Sequence, residues 1–196
     1  MIFKTRADGI NWAKGIMRPV VRKDYVVLDF KTTGLTNPAV VQAALVGHNG
    51  KSPVTLVSTL VDPEQEIEVG ASKIHGITQK MVNGYDSFAI VSKLLEARMR
   101  SKHVIIYNRK FGQSVFIHQY ARYWGATDAP GIKYHCAMEA AACVLGEWND
   151  YYQNWKWIKL VDACRALKVK VNHAHDATAD CYMTWALIEA MSKLEE

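Results

Sequence analysis

Apolar residues recur along this chain with two different periods. Tyr25-Val26-Val27-Leu28-Asp29-Phe30 is an apolar run broken by one acid near its end, the pattern of a buried strand. Residues 39–47 and 54–60 form two further apolar stretches. Between them His48-Asn49-Gly50-Lys51 carries an Asn-Gly hairpin signal. The three runs predict a meander of three strands. Beyond residue 87 the period lengthens. Phe88, Val91, Leu95 and Met99 recur at helical spacing behind Ser87, a residue type that caps helices. Residues 103–107 read as a fourth strand, 111–123 as a helix, 133–136 as a short strand and 138–145 as a helix. A short helix is predicted over 71–75 and another over 160–167. The last helix, 176–193, puts Ala177, Cys181, Trp185 and Ile188 on one face. Residues 63–69 and 147–157 read as loops, the second of them ordered at the surface. Three strands followed by alternating helices and strands imply an α/β fold, a mixed central sheet flanked by helices.

Charge divides the chain in two. Residues 1–23 hold Lys4, Arg6, Lys14, Arg18, Arg22 and Lys23 against Asp8 alone, which accounts for the whole formal charge of +5. The division expected is a basic N-terminal arm, 1–23, and a domain, 24–196. The arm could hold phosphates or be a solubilising leader packed loosely on the domain. No apolar run is long enough to span a bilayer and the N-terminus has no secretory pattern. The expected location is therefore cytoplasmic, with no membrane partner. Cys136, Cys143, Cys164 and Cys181 form no CxxC pair and are expected to be reduced core thiols.

The acid in the first strand is where chemistry enters. Alternation along a strand puts Asp29 and Lys31 on one face. Far along the chain, His175-Asp176-Ala177-Thr178-Ala179-Asp180 opens the last helix, with Asp180 five positions after His175. Between these blocks, Tyr107-Asn108-Arg109-Lys110-Phe111-Gly112 runs from a strand end into a helix.

These three blocks, in this order, resemble the motifs of the DEDDh 3′→5′ exonucleases, the DnaQ-like branch of the ribonuclease H-like superfamily. The family reads D-x-E-T-T-G-L, N-x-x-F-D and H-x-A-x-x-D. This chain reads D-F-K-T-T-G-L from Asp29, N-R-K-F-G from Asn108 and H-D-A-T-A-D from His175. Ile74-His75-Gly76-Ile77-Thr78 is similar to a segment between the first two motifs. Residues 146–161 are similar to phage and plasmid-type members. The resemblance spans roughly residues 24–190 and implies the ribonuclease H-like fold. It also implies a site in which four carboxylates hold two divalent ions around a scissile phosphate. A histidine, a side chain that titrates near neutrality, is the general base. Asp29, Asp180 and His175 match family positions, with Asp29 and Asp180 as metal ligands if a metal still binds. The implied substrate-binding set is Thr32, Thr33, Gly34, Leu35, His75, Asn108 and Phe111.

Two positions depart from the pattern. Lys31 stands where the family has a metal-binding glutamate, and Gly112 where it has an aspartate. An ammonium ~4 Å from a divalent ion costs on the order of several kcal/mol even at an effective dielectric of ~20. The same ammonium would suit Asp29 and Asp180 as a counter-charge. Neither Asp176, expected to point away from Asp180, nor the neutral Gln113 replaces the lost acids.

The expectation is a folded site held by an internal salt bridge, with catalysis lost or impaired and no cofactor. The protein would act by binding nucleic-acid 3′ ends or a protein partner. Two alternatives stay open. One is an active exonuclease using Mg2+ or Mn2+; the other is a phage or plasmid inhibitor or accessory protein using the fold as a surface. His75 and His173 are expected to be satisfied loop histidines. Arg109 and Lys110 could hold backbone phosphates or be merely solvated. Trp148, Tyr151, Tyr152, Trp155 and Trp157 could pack, stack bases or anchor a partner.

Overall fold

Strand β1 (Tyr25–Thr32) sets the frame of the domain. Its even-numbered residues Val26, Leu28 and Phe30 enter one hydrophobic core and Val27 enters another, so the period of two sorts the strand between opposite faces of the sheet. The computed structural model describes residues 3–125 and 131–195. β1 pairs antiparallel with β2 (Val40–His48), and β2 with β3 (Pro53–Leu60). On its other side β1 pairs parallel with β4 (His103–Ile106), and β4 with β5 (Lys133–Cys136). The order is β3-β2-β1-β4-β5, a mixed five-stranded sheet. The hairpin turn after β2 carries Gly50 at φ 97°, as the Asn-Gly signal requires.

One face is covered by α4 (Phe88–Met99) and α5 (Arg109–Trp124). Phe88, Val91, Leu95 and Met99 are all buried there, the face that their spacing predicts. Ser87 stands at the N-cap but its hydroxyl makes no capping bond. The other face is covered by α1 (Arg6–Met17), α6 (Ala137–Leu145), α7 (Leu160–Ala166) and α8 (Ala177–Ser192). Ala177, Cys181, Trp185 and Ile188 of α8 are buried against the sheet. The Trp185 indole N–H donates to the Val46 carbonyl at 3.3 Å. Two short helices, α2 (Val69–His75) and α3 (Gln79–Val82), lie between β3 and α4. All four cysteines are free and buried. Among the described residues no helix is long and apolar enough to cross a membrane.

The basic N-terminal segment differs from its expectation. It is no loose leader: α1 buries Ile10, Trp12, Ala13 and Ile16 in the core shared with α6 and α8. Thr5 and Asp8 close a capping box, the Thr5 amide donating to the Asp8 carboxylate at 2.8 Å. Gly9 lets the helices touch, since a Cβ there would lie 2.7 Å from the Ala140 carbonyl oxygen. The basic side chains of α1 project outward while its apolar stripe joins the domain. A boundary at residue 23 thus does not separate this helix from the core.

The segment 147–157 is also more regular than a loop. Strands β6 (Trp148–Asn149) and β7 (Asn154–Trp155) pair as a small hairpin whose turn is closed by Asn149, whose side-chain oxygen accepts from the Tyr151 and Tyr152 amides.

Candidate active site

Odd-numbered positions of β1 face α8, so Asp29 and Lys31 project toward the mouth of that helix, on the face where Val27 packs. Asp180 comes down from the first turn of α8 to meet them. The Lys31 ammonium donates to Asp29 Oδ2 at 2.6 Å and to Asp180 Oδ2 at 2.5 Å. All three side chains are largely buried, none more than 23 % exposed. Asp180 is further satisfied at its other oxygen, which accepts from the His175 amide at 3.3 Å. The expected internal salt bridge is therefore present as a lysine held between two carboxylates.

The electrostatics follow from burial. Burial lifts the Asp29 carboxyl to about 6; Lys31 opposes the rise and Asp180 adds to it. Burial also works against the Lys31 ammonium. Asp29 and Asp180 together outweigh that penalty and hold its pKa above that of an ordinary lysine. The cluster keeps one cation among groups that would otherwise repel.

Gly112 lies in the first turn of α5, buried. A Cβ at this position would sit 2.7 Å from Cγ2 of Ile106, the last residue of β4. The space where an acidic side chain would begin is thus filled by a branched aliphatic chain that cannot swing far. The residues present do not fit a pair of divalent ions. Two carboxylates remain, both bonded to an ammonium. Among the described residues no group of three or more His, Cys, Asp or Glu is placed to hold a metal.

His175 has φ 76°, in the left-handed region, and its side chain is exposed. It lines a groove of about 680 Å³ with Asp180, Tyr107, Asn108 and Trp157. Asp176 caps α8, accepting from the Ala179 amide at 2.9 Å with one oxygen and from the Gln42 side chain at 2.7 Å with the other. It is committed to the helix, as its place at the helix mouth implies. Gln42, on β2 opposite Lys31, also accepts from the Ala177 amide at 2.9 Å. No motif marks this glutamine; its signal is the register of β2 against β1, which appears only once the strands pair.

The loop after β1 is organised by its own polar groups. Thr33 is buried; its hydroxyl oxygen accepts from the Ala39 amide at 3.0 Å and from Gln65 at 2.8 Å. The Thr32 hydroxyl donates to the Gly34 carbonyl at 2.9 Å. Gly34 needs room rather than an unusual φ: a Cβ there would collide with the Glu68 carboxyl group. Leu35 is 83 % exposed. His75 is satisfied as expected. Its Nδ1 accepts from the Ile77 amide at 3.0 Å, which leaves Nε2–H to donate to the Thr32 carbonyl at 3.1 Å. Burial lowers its pKa, the Thr32 bond opposes this, and Lys31 lowers it further.

Asn108 accepts from the Phe111 amide at 3.3 Å as the N-cap of α5, and Phe111 packs against the core. Both hold the helix start in place. Arg109 is engaged with Gln113 at 3.2 Å and Glu139 at 3.8 Å, while Lys110 is exposed. The structure thus brings Asp29, Lys31, Asp180 and His175 to one point and puts Thr32, Thr33, Gly34 and His75 beside it.

This geometry agrees with what the chain is similar to. A family model described as Exonuclease (RNase_T) matches residues 26–188. An uncharacterised exonuclease, CP81, of Escherichia phage 186 is 32 % identical over 178 residues, covering 87 % of this chain and 89 % of that protein. A PolC-type DNA polymerase III of Caldanaerobacter subterraneus is 27 % identical over 193 residues, 96 % of this chain but 13 % of the polymerase. Among solved structures, exonuclease X in complex with 5′ overhanging duplex DNA superposes with a TM-score of 0.64 at 24 % identity, covering 85 % of this chain and 90 % of that one. E. coli exonuclease I in complex with a dT13 oligonucleotide superposes with a TM-score of 0.66 at 19 % identity, covering 83 % of this chain and 39 % of that one. The ribonuclease H-like, DnaQ-type fold is common to them. By its family match and its fold, the chain belongs to the DEDDh, DnaQ-like exonuclease family.

Proposed function

We propose that this protein binds nucleic acid through an exonuclease fold whose metal cradle has been closed by its own lysine. The observation that carries the reading is the Lys31 ammonium, bonded to both Asp29 and Asp180. A divalent ion entering between these carboxylates must first displace a cation already 2.5 and 2.6 Å from them. It would then gain fewer oxygen ligands than a hard cation needs. Ile106 packed over Gly112 supports the same reading, because it occupies the start of a third ligand. His175 is left without metal-bound water to deprotonate, so it has no partner for general-base work in this reading.

The loop around Thr32–Gly34 and His75 supports retained binding, since its hydrogen bonds do not depend on the lost acids. The relatives crystallised with DNA make nucleic acid the ligand class of choice. The test is a nuclease assay on a 5′-labelled single strand with Mg2+ or Mn2+, beside a binding assay on the same strand. The expected result is binding without shortening. Shortening that Asp29→Ala abolishes would overturn it and would favour a second reading, an active exonuclease in which the metal drives Lys31 out. That second reading has support in the retention of Asp29, Asp180 and His175 together.

A further inference from the structure

The face beyond Asp180 carries two grooves that the closed cradle leaves unexplained. The first, of about 680 Å³, begins at Asp180 and His175 and passes Ile158 and Lys159 to reach Trp157. The second, of about 660 Å³, starts on Trp157 and continues past Trp148, Arg109 and Lys4. Trp157 is a wall of both and is 68 % exposed; Trp148 is 40 % exposed. The two open indoles line one continuous pair of grooves, and aromatic faces of this kind can stack on flat apolar groups.

The rings stand on fixed supports. Trp155 is anchored where its indole N–H donates to the Phe3 carbonyl at 3.2 Å, and Trp148 meets it edge to face with centroids 5.2 Å apart. On the other side of Trp157, the Tyr107 hydroxyl donates to the Ile158 carbonyl at 2.8 Å. The backbone carrying Trp157 is therefore tied down at both ends while the ring faces out.

Charge along the grooves favours an anion. Arg109 and Arg165 are paired with Glu139 and Asp162, at 3.8 and 3.4 Å. At the inner end Asp180 shares the single charge of Lys31 with Asp29. Lys159 forms no ion pair among the described residues, while the charge of Lys4 acts also on Asp8; the groove walls carry Lys4, Arg109, Lys159 and Arg165 against Glu139, Asp162 and Asp180, one positive charge in excess. Exposed flat rings with an excess of cations along the same walls match bases on an anionic backbone.

We infer that a single-stranded polynucleotide lies along these grooves, its bases against Trp157 and Trp148 and its phosphates against Lys159 and Lys4, with one end delivered to Asp180 and His175. The inference rests on the reading that the protein binds nucleic acid. The test is fluorescence anisotropy of the full chain with labelled dT and rU strands of about twelve nucleotides at about 50 mM salt.

Binding of either strand is expected to weaken about tenfold in Trp157→Ala and several-fold in Trp148→Ala, with Trp157→Phe close to wild type. Lys4→Ala with Lys159→Ala should flatten the log–log salt dependence by about 1.4, the value for two phosphate contacts on a single strand. Unfolding midpoints of these variants should match wild type. Wild-type binding that is unchanged in both tryptophan variants would overturn the groove assignment and leave nucleic-acid binding standing. Failure of the wild type to bind either strand would overturn both.

Discussion

Residues 29–31 and 32–35 are consecutive in the chain, yet they have fared differently. The first stretch has turned inward: Asp29 and Lys31 spend their polar atoms on each other and on Asp180. The second spends its polar atoms on its own loop. Its threonines hold the backbone from within, and Leu35 stands in solvent at its tip. The difference is one of what each polar group is bonded to. The two acids are bonded to the lysine, whereas the loop bonds to neither. In the proposed reading, a lysine at one strand position fills the site between the acids without disturbing the bonds of the neighbouring loop.

The sharpest way to break this contrast is to remove the ammonium. Lys31→Met leaves two buried carboxylates facing each other and is expected to destabilise the fold by about 3–5 kcal/mol at neutral pH, read as a drop in the urea midpoint. A loop residue gives the counterpart: Leu35→Ala, exposed at 83 %, should leave stability within about 0.5 kcal/mol. Equal losses in the two variants would erase the distinction.

Gly112→Asp is next in size. Its Cβ meets Ile106 at 2.7 Å, so the substitution is expected to cost about 1–3 kcal/mol by overpacking. Ile106→Ala in the same chain should recover part of that loss, seen as non-additivity in a double-mutant cycle. Placing acids at positions 31 and 112 without trimming Ile106 would thus be a poor test of whether the scaffold can hold a metal.

The capping box is a smaller and independent check on α1. Thr5→Ala should lower stability by about 1 kcal/mol by urea denaturation. That helix was readable in part, since Thr5 and Asp8 stand at capping-box spacing before Ile10, Ala13 and Ile16. Six basic residues and two glycines within the segment hid the stripe.

Elsewhere the pattern carried more. β1 to β5 and α4 to α8 follow from period and punctuation, because their buried faces are long enough to count. The β6–β7 hairpin escaped because each strand has two residues, too few for alternation to register. α3, with four residues, escaped for the same reason. In the site, Asp29, Lys31, His175 and Asp180 were legible from motif spacing. Gln42 and Ile106 were not, since their roles arise from strand register and from packing across β4 and α5.

The smallest effect expected is a titration. The Asp29 carboxyl, lifted to about 6 in the fold, should show a carboxyl 13C midpoint near that value rather than near the ordinary value for aspartate, 3.8. Its folded pKa lies above its unfolded one, so between these values the folded state binds more protons. The stability this group contributes is full below about pH 4 and lost as pH rises through about 6. A midpoint below 4 would mean that Lys31 outweighs burial at this carboxyl.

The most direct trial of the closed cradle is a crystal soaked in manganese, read by anomalous scattering. The expected map has no peak between residues 29 and 180, and clear density for the amine of residue 31 reaching both acids. Two strong peaks there, with that amine turned out to solvent, would contradict it.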